Sequence, residues 1–216
     1  MLFRSVETPY VVPNPGMDLH LEAFDVSDRR GRLAGRLITS PELHMKRLLT
    51  AGVPRCAQFA RCWRAGELGA RHQPEFTMLE WYRAGAGLEA MLRDTAAIVR
   101  AAASVSAHPD AIVVDGRSVP LMGDFRTVTV RDCFARHCPE LGDPIALAAA
   151  DEEAYYDAIA RRIEPQLGWD APVFVTGFPA RHASLARIDP RDPRSEEHTS
   201  ELQSPCNLVC RLLLEK

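Results

Sequence analysis

The stretch from Arg64 to Tyr82 concentrates side chains able to hold an anion, a flat ring and a cation. Arg64 stands where one expected strand runs into a loop, and a guanidinium based there can fork onto phosphate or carboxylate oxygens. Arg71 and His72 add donors from the far side of the loop. Phe76 follows, a planar ring suited to stacking on a base. Glu80 and Tyr82 alternate with Leu79 and Trp81, so the acid and the phenol share one strand face. Side by side they make a seat for an ammonium group. Anion clamp, aromatic platform and cation pocket in one hairpin would suit an aminoacyl nucleotide.

Each of these residues also has a plainer role. Arg64 could be a surface ion-pair partner, Phe76 and Trp81 could be core, and Glu80 could be solvated. Glu42 sits in an expected first helical turn, where an acid complements the helix dipole without any ligand. The combination, more than any single residue, carries the chemical reading.

The elements that must position these groups follow from pattern. Cys56 to Trp63 and Phe76 to Tyr82 are short, aromatic-rich runs predicted as strands around a charged, glycine-containing loop, Arg64 to Gln73, of the kind that binds. Thr39-Ser40-Pro41-Glu42 predicts a helix start, with a hydroxyl to cap free N–H groups, a tolerated proline and an early acid. Met45, Leu48 and Leu49 give that helix an apolar face. Leu88, Met91, Leu92, Ile98, Val99 and Ala102 recur at helical spacing, and a further helix is predicted over Glu152 to Ile163, with Ala154, Tyr155, Ala158, Ile159 and Ile163 inward. Strands are expected at Ala111 to Val114 and Pro172 to Thr176. Residues 6 to 34 read as an irregular polar lead-in punctuated by Pro9, Pro13 and Pro15. Local strand pairs mixed with helices predict an α+β domain, an antiparallel sheet flanked by helices.

Composition narrows the classes further. With 216 residues, 46% hydrophobic and 25% charged, the chain can bury a core, which excludes a disordered acidic protein or a disulfide miniprotein. Twenty-six Lys plus Arg against 29 Asp plus Glu give a formal charge of −3, unlike a generic phosphate-backbone binder. No apolar run reaches the roughly 18 residues of a membrane span, and MLFRSVETPY lacks the pattern of an export signal, so a cytoplasmic location is expected. No two of the six cysteines have CxxC spacing, and they are expected to be reduced thiols. No metal site is predicted from them.

At this point the motifs become recognisable. Arg64 to Tyr82, with its PEFTMLEWYR run, resembles motif 2 of a class II aminoacyl-tRNA synthetase of the lysine type. Val6-Glu7-Thr8-Pro9 resembles the end of motif 1, and Thr39 to Arg47, TSPELHMKR, resembles the helix at the lysine site. The TSPE and HMKRLL pattern, Trp81-Tyr82-Arg83, Phe178-Pro179-Ala180 and Ala183-Ser184-Leu185-Ala186 are closer to the elongation factor P lysine ligase branch than to lysyl-tRNA synthetases. The resemblance covers about Val6 to Asp192.

The resemblance implies a class II antiparallel catalytic sheet, ATP and Mg²⁺ as cofactors, activation of lysine or β-lysine, and transfer of the acyl group to a lysine of elongation factor P, with tRNA not expected as partner. Carried onto this chain, Arg64 would hold the α-phosphate and act as the catalytic residue, while Glu67, His72, Gln73 and Phe76 would complete the ATP site. Ser40, Pro41, Glu42, Glu80 and Tyr82 would contact the amino acid. The family's Arg-Asn-Glu is replaced by Arg64-Ala65-Gly66-Glu67, placing the glutamate one residue later. Family members usually dimerise through motif 1. A lysyl-tRNA synthetase fragment and a noncatalytic synthetase paralogue are the competing readings.

The two ends read differently. From Arg194 the text RSEEHTSELQSPCNLVCRLLLEK breaks the preceding pattern, and its first part, through Ser204, resembles a translated sequencing adapter; Leu2 to Ser5 resembles the complementary end. The expectation is that 1–5 and 194–216 are artefact and that 6–193 is a partial catalytic domain. Its Mg²⁺-binding acids and motif 3 are then missing, its sheet has an open edge, and the chain is inactive or poorly folded.

Overall fold

The computed structural model describes residues 2–16, 21–69, 72–182, 187–189 and 192–197. Arg71, Ala183 to Ala186, Cys206 and Cys210 lie outside them. The chain divides into two units, residues 1–85 and 86–216.

The first unit is built on a long hairpin, β5 (Arg55–Trp63) and β6 (Glu75–Arg83), in continuous antiparallel register from Arg55↔Arg83 to Trp63↔Glu75. β1 (Arg4–Ser5) runs parallel to β5, giving the order β1-β5-β6. Val6 donates its N–H to the Ala57 carbonyl at 3.0 Å, and the chain leaves the sheet after it. Among the described residues β6 is an edge strand, with β5 its neighbour on one side only.

The lead-in is more ordered than its composition predicts. β2 (Val11–Val12), β3 (Asp25–Ser27) and β4 (Leu33–Leu37) form a second antiparallel sheet in the order β2-β4-β3. Gly35 permits the close approach of β4 to β2, since a Cβ there would lie 2.8 Å from Val11 Cγ1 and 3.1 Å from the Val12 carbonyl oxygen. Ile38 N–H donates to the Tyr10 carbonyl and Trp63 N–H to the Ile38 carbonyl, both at 3.0 Å. These bonds knit the small sheet to the end of β5, and Val12, Ile38, Ala60 and Cys62 pack as one core with Tyr10, Trp63, Phe76 and Met78 against it.

Helix α1 (Glu42–Thr50) packs on the hairpin through fully buried Met45. The predicted hydroxyl cap is not formed. Pro41 is the capping residue, no side chain caps the helix, and the Pro41 carbonyl accepts from His44 and Met45 N–H. Pro41 already has helical backbone angles, which moves the start past Thr39 and Ser40.

In the second unit, α2 (Leu88–Ala103) buries Ala96, Val99 and Ala103; Ala102, predicted on the apolar face, is exposed. Val99 and Ala103 pack with Leu121, Ile112 and Phe125 near the hairpin β7 (Ala111–Val114) and β8 (Arg117–Pro120). β9 (Arg126–Thr129) pairs in parallel with β10 (Val173–Thr176), as β1 does with β5, beside the antiparallel pairs that predominate. Parallel neighbours need a long crossover. Here it carries α3 (Val130–His137), α4 (Pro144–Ala150) and α5 (Glu152–Asp157), the last continuing through a π-type turn at Ala158–Ile163. A capping box at α3, in which Thr129 Oγ1 accepts from Asp132 N–H and Asp132 accepts from Thr129 N–H, fixes the strand-to-helix turn. Phe134 and Tyr155 stack in the core of this unit with Ile159, Ile163 and Phe178. β11 (Arg187–Asp189) and β12 (Asp192–Glu197) pair antiparallel. Cys56, Cys62, Cys133 and Cys138 are free and buried, in line with reduced thiols.

Candidate functional site

Alternation along the hairpin decides which side chains meet. The register sets Cys56 opposite Tyr82, Gln58 opposite Glu80, Ala60 opposite Met78 and Cys62 opposite Phe76. These eight residues fall on one face. β5 contributes mostly small buried groups, Cys56, Ala60 and Cys62, beside the longer half-buried Phe76, Glu80 and Tyr82 of β6.

Arg64 closes one end. Its N–H donates to the Pro74 carbonyl at 2.9 Å, one step beyond the last strand pair. Its guanidinium carbon lies 5.1 Å from the Phe76 ring centroid, within cation–π range. Nε donates to the Thr39 carbonyl at 3.4 Å, tying the hairpin to the segment entering α1. Nη1 is 3.8 Å from Glu67 Oε1. Glu67 reaches it despite its later position because Gly66 takes φ +77°, a left-handed turn that favours glycine, while Ala65 N–H is pinned to the Glu22 carbonyl at 2.7 Å.

The other end is acidic. Tyr82 donates its hydroxyl to Glu80 Oε2 at 2.8 Å. Burial pushes the Glu80 carboxyl up to about 7; the Tyr82 bond opposes the rise, the Glu42 charge adds to it, and Lys46 and Arg64 oppose it. Burial, and then the Glu80 charge, push the Tyr82 phenol up too, so it remains a donor. Burial and the Glu80 charge push the Cys62 thiol up to about 12, with Arg64 opposing, which leaves no thiolate nucleophile here. Glu42 is 3% exposed, and its Oε1 accepts from Lys46 Nζ at 2.6 Å. Its Oε2 is buried with no hydrogen-bond partner. An exposed ion pair such as Arg32 with Asp28 adds little, because water screens it. A buried carboxylate with an unmet oxygen is different: it costs about 1–3 kcal/mol unless something binds it.

The structure therefore brings together Arg64, Glu67 and Phe76, and likewise Glu42, Glu80 and Tyr82. Pro41 is buried and Ser40 half-buried at the start of α1, next to Thr39. His72 and Gln73 stand apart, exposed in the loop, with the His72 backbone bonded to Gly69. Among the described residues no cluster of three or more His, Cys, Asp or Glu side chains is placed to hold a metal ion. Two participants escaped the sequence reading. Lys46 was visible one turn after Glu42, where an opposite charge can pair. Gln58 was visible as a polar side chain on the face otherwise formed by Cys56, Ala60 and Cys62, yet it is 1% exposed.

This hairpin spans the Arg64 to Tyr82 stretch that resembles motif 2. The family model for class II tRNA synthetases (D, K and N) matches residues 2–215, and the chain belongs to this family. Curated relatives named elongation factor P–(R)-β-lysine ligase include one from Vibrio cholerae, 34% identical over 200 residues, covering 88% of this chain and 60% of the relative. Others come from Erwinia tasmaniensis, 31% identical over 214 residues (89% and 61%), and Klebsiella pneumoniae, 33% over 205 residues (89% and 61%). The chain spans about 60% of the length of the curated relatives it matches. No helix among the described residues is long and apolar enough to cross a membrane.

Proposed function

We propose that this chain is the nucleotide- and amino-acid-binding part of an ATP-dependent ligase that activates lysine or β-lysine as an aminoacyl-adenylate and transfers it to a lysine of elongation factor P. The observation that carries the reading is the single hairpin face with Arg64 and Phe76 at one end and Glu80, Tyr82 and Glu42 at the other. The names of the relatives support the choice of acceptor.

In this reading ATP is the energy-supplying co-substrate, and the residues present fit its adenine and α-phosphate. Phe76 offers its ring to the base, and Arg64 leaves that ring to fork onto phosphoryl oxygens. The described residues offer no carboxylate cluster for Mg²⁺. Glu80 and Glu42 hold the substrate ammonium while Tyr82 keeps the Glu80 carboxylate turned toward it. Held this way, a substrate carboxylate oxygen attacks the α-phosphorus and pyrophosphate departs. Arg64 stabilises charge growing on the phosphoryl oxygens. Attack by the acceptor lysine's amine on the acyl carbon then forms an amide and releases AMP and a proton.

Offering the whole protein ATP, labelled lysine or (R)-β-lysine, elongation factor P and lysine tRNA tests the reading. Label is expected on elongation factor P. Label on the tRNA would make the protein a synthetase, and absence of amino-acid-dependent pyrophosphate exchange would make it a noncatalytic paralogue.

A further inference from the structure

Among the side chains gathered on the Glu80 side of the hairpin, one buried acceptor and one buried donor are unmet: Glu42 Oε2 and Gln58 Nε2. The acceptor suits a ligand's ammonium. The donor does not, because an ammonium has no lone pair to offer. Gln58 is held from behind, as the buried Thr8 hydroxyl donates to its Oε1 at 3.0 Å. With Oε1 taken by Thr8, the Nε2 hydrogens are left without a partner. The residue directly opposite in register is Glu80. Opposite residues on one face have Cβ atoms about 4.5–5.5 Å apart, so two such long side chains can meet. In the structure Glu80 instead accepts from Tyr82 through Oε2.

We propose that Gln58 is a positioning residue for Glu80: its amide N–H closes onto the Glu80 carboxylate and, with the Tyr82 hydroxyl, holds that carboxylate charged and aimed at a ligand's ammonium. The reasoning is electrostatic. A half-buried carboxylate in this hollow has the Glu42 carboxylate working against its charge, with Lys46 and Arg64 working for it and the neutral Cys62 thiol alongside. A second N–H donor favours the charged form. Thr8, on the segment after β1, becomes the outer member of a chain running Thr8, Gln58, Glu80, ligand. The inference rests on the ammonium-binding reading of Glu80 given above, and extends it to two residues outside the Arg64 to Tyr82 stretch.

The test is carbon-detected NMR titration of the Glu80 carboxyl in the whole protein, ligand-free and with lysine, for wild type, Gln58→Met and Thr8→Val. The proposal expects the Glu80 midpoint to move up in Gln58→Met and, less far, in Thr8→Val, and lysine affinity at pH 7 to drop roughly tenfold in Gln58→Met, the scale of one lost bond to a charged group. Thr8→Val is close to isosteric and keeps the test open should Gln58→Met not fold. An unmoved Glu80 midpoint in the variants overturns the proposal, even if lysine binds more weakly, because Gln58 would then touch the ligand itself or serve packing alone. A moved midpoint in a chain with no measurable lysine affinity upholds the Gln58–Glu80 link and sinks the lysine reading instead.

Discussion

The Arg64 guanidinium lies over the Phe76 ring, 5.1 Å from its centroid, on the hairpin face that also carries Glu80. Both surfaces that ATP requires in the proposed reaction are therefore occupied by one another, and a nucleotide must part them. Replacing Phe76 by Leu is expected to weaken ATP binding by about 1–3 kcal/mol, the scale of one base-stacking contact. Arg64→Lys, which keeps charge but loses the fork, is expected to slow pyrophosphate exchange more than it raises the Kd for ATP. Calorimetry on the chain and exchange assays on the whole protein check the two.

In the proposed reading, Glu80 sets a pH dependence for ligand binding. With its carboxyl pushed up to about 7, it is largely charged at pH 8 and largely neutral at pH 6. Lysine affinity is expected to fall as pH drops through 7, and Glu80→Gln should flatten that dependence. A lysine titration series from pH 6 to 8 reads it directly.

The same group affects stability with a definite sign. Its folded value is above the ordinary carboxyl value, so the folded chain binds more protons than the unfolded one between them. Stability from this group is full below the ordinary value and is lost as pH rises to about 7. Glu80→Gln should therefore raise Tm at pH 8 and leave it nearly unchanged near pH 4, as thermal melts would show.

Removing the partner of a buried acid should be costly. Lys46 is the cation bonded to Glu42, whose side chain is only 5% exposed. Lys46→Met is expected to destabilise the chain by about 1–3 kcal/mol, with Glu42→Gln in the same background recovering much of it. Denaturant melts of the two variants measure the coupling.

Gly35→Ala separates fold from chemistry. A Cβ at 2.8 Å from Val11 forces β2 and β4 apart, and a loss of about 1–3 kcal/mol is expected. Lysine affinity below the melting range should stay unchanged.

The hairpin could be read in advance because nine-residue strands repeat their alternation often enough to show it, and because Phe76, Glu80 and Tyr82 fall on one parity. β2 and β3, two and three residues long, are too short for alternation to register, so the lead-in looked irregular. The β9–β10 pairing joins Arg126 with Val173 across a helical crossover, and no local pattern reports such a distant neighbour. Within the candidate site, Glu80 stood out by its alternation with Tyr82, whereas type and spacing gave Glu42 only a helix-dipole role and the resemblance alone pointed it at a ligand. Gln58 did not stand out, since its role comes from burial and from the residue across the ladder rather than from its own neighbours in sequence.

The unbroken register of β5 with β6 also limits how related sequences can vary in length. A residue gained or lost inside either strand would turn everything beyond it to the opposite side, in β6 sending Glu80 outward and bringing a neighbour such as Leu79 into its place, in β5 exchanging Gln58 for Phe59, which is 72% exposed. The connecting turn has no such parity to keep. Insertions and deletions among relatives should therefore gather between Arg64 and Pro74, where Gly66 already lets a displaced glutamate find its arginine.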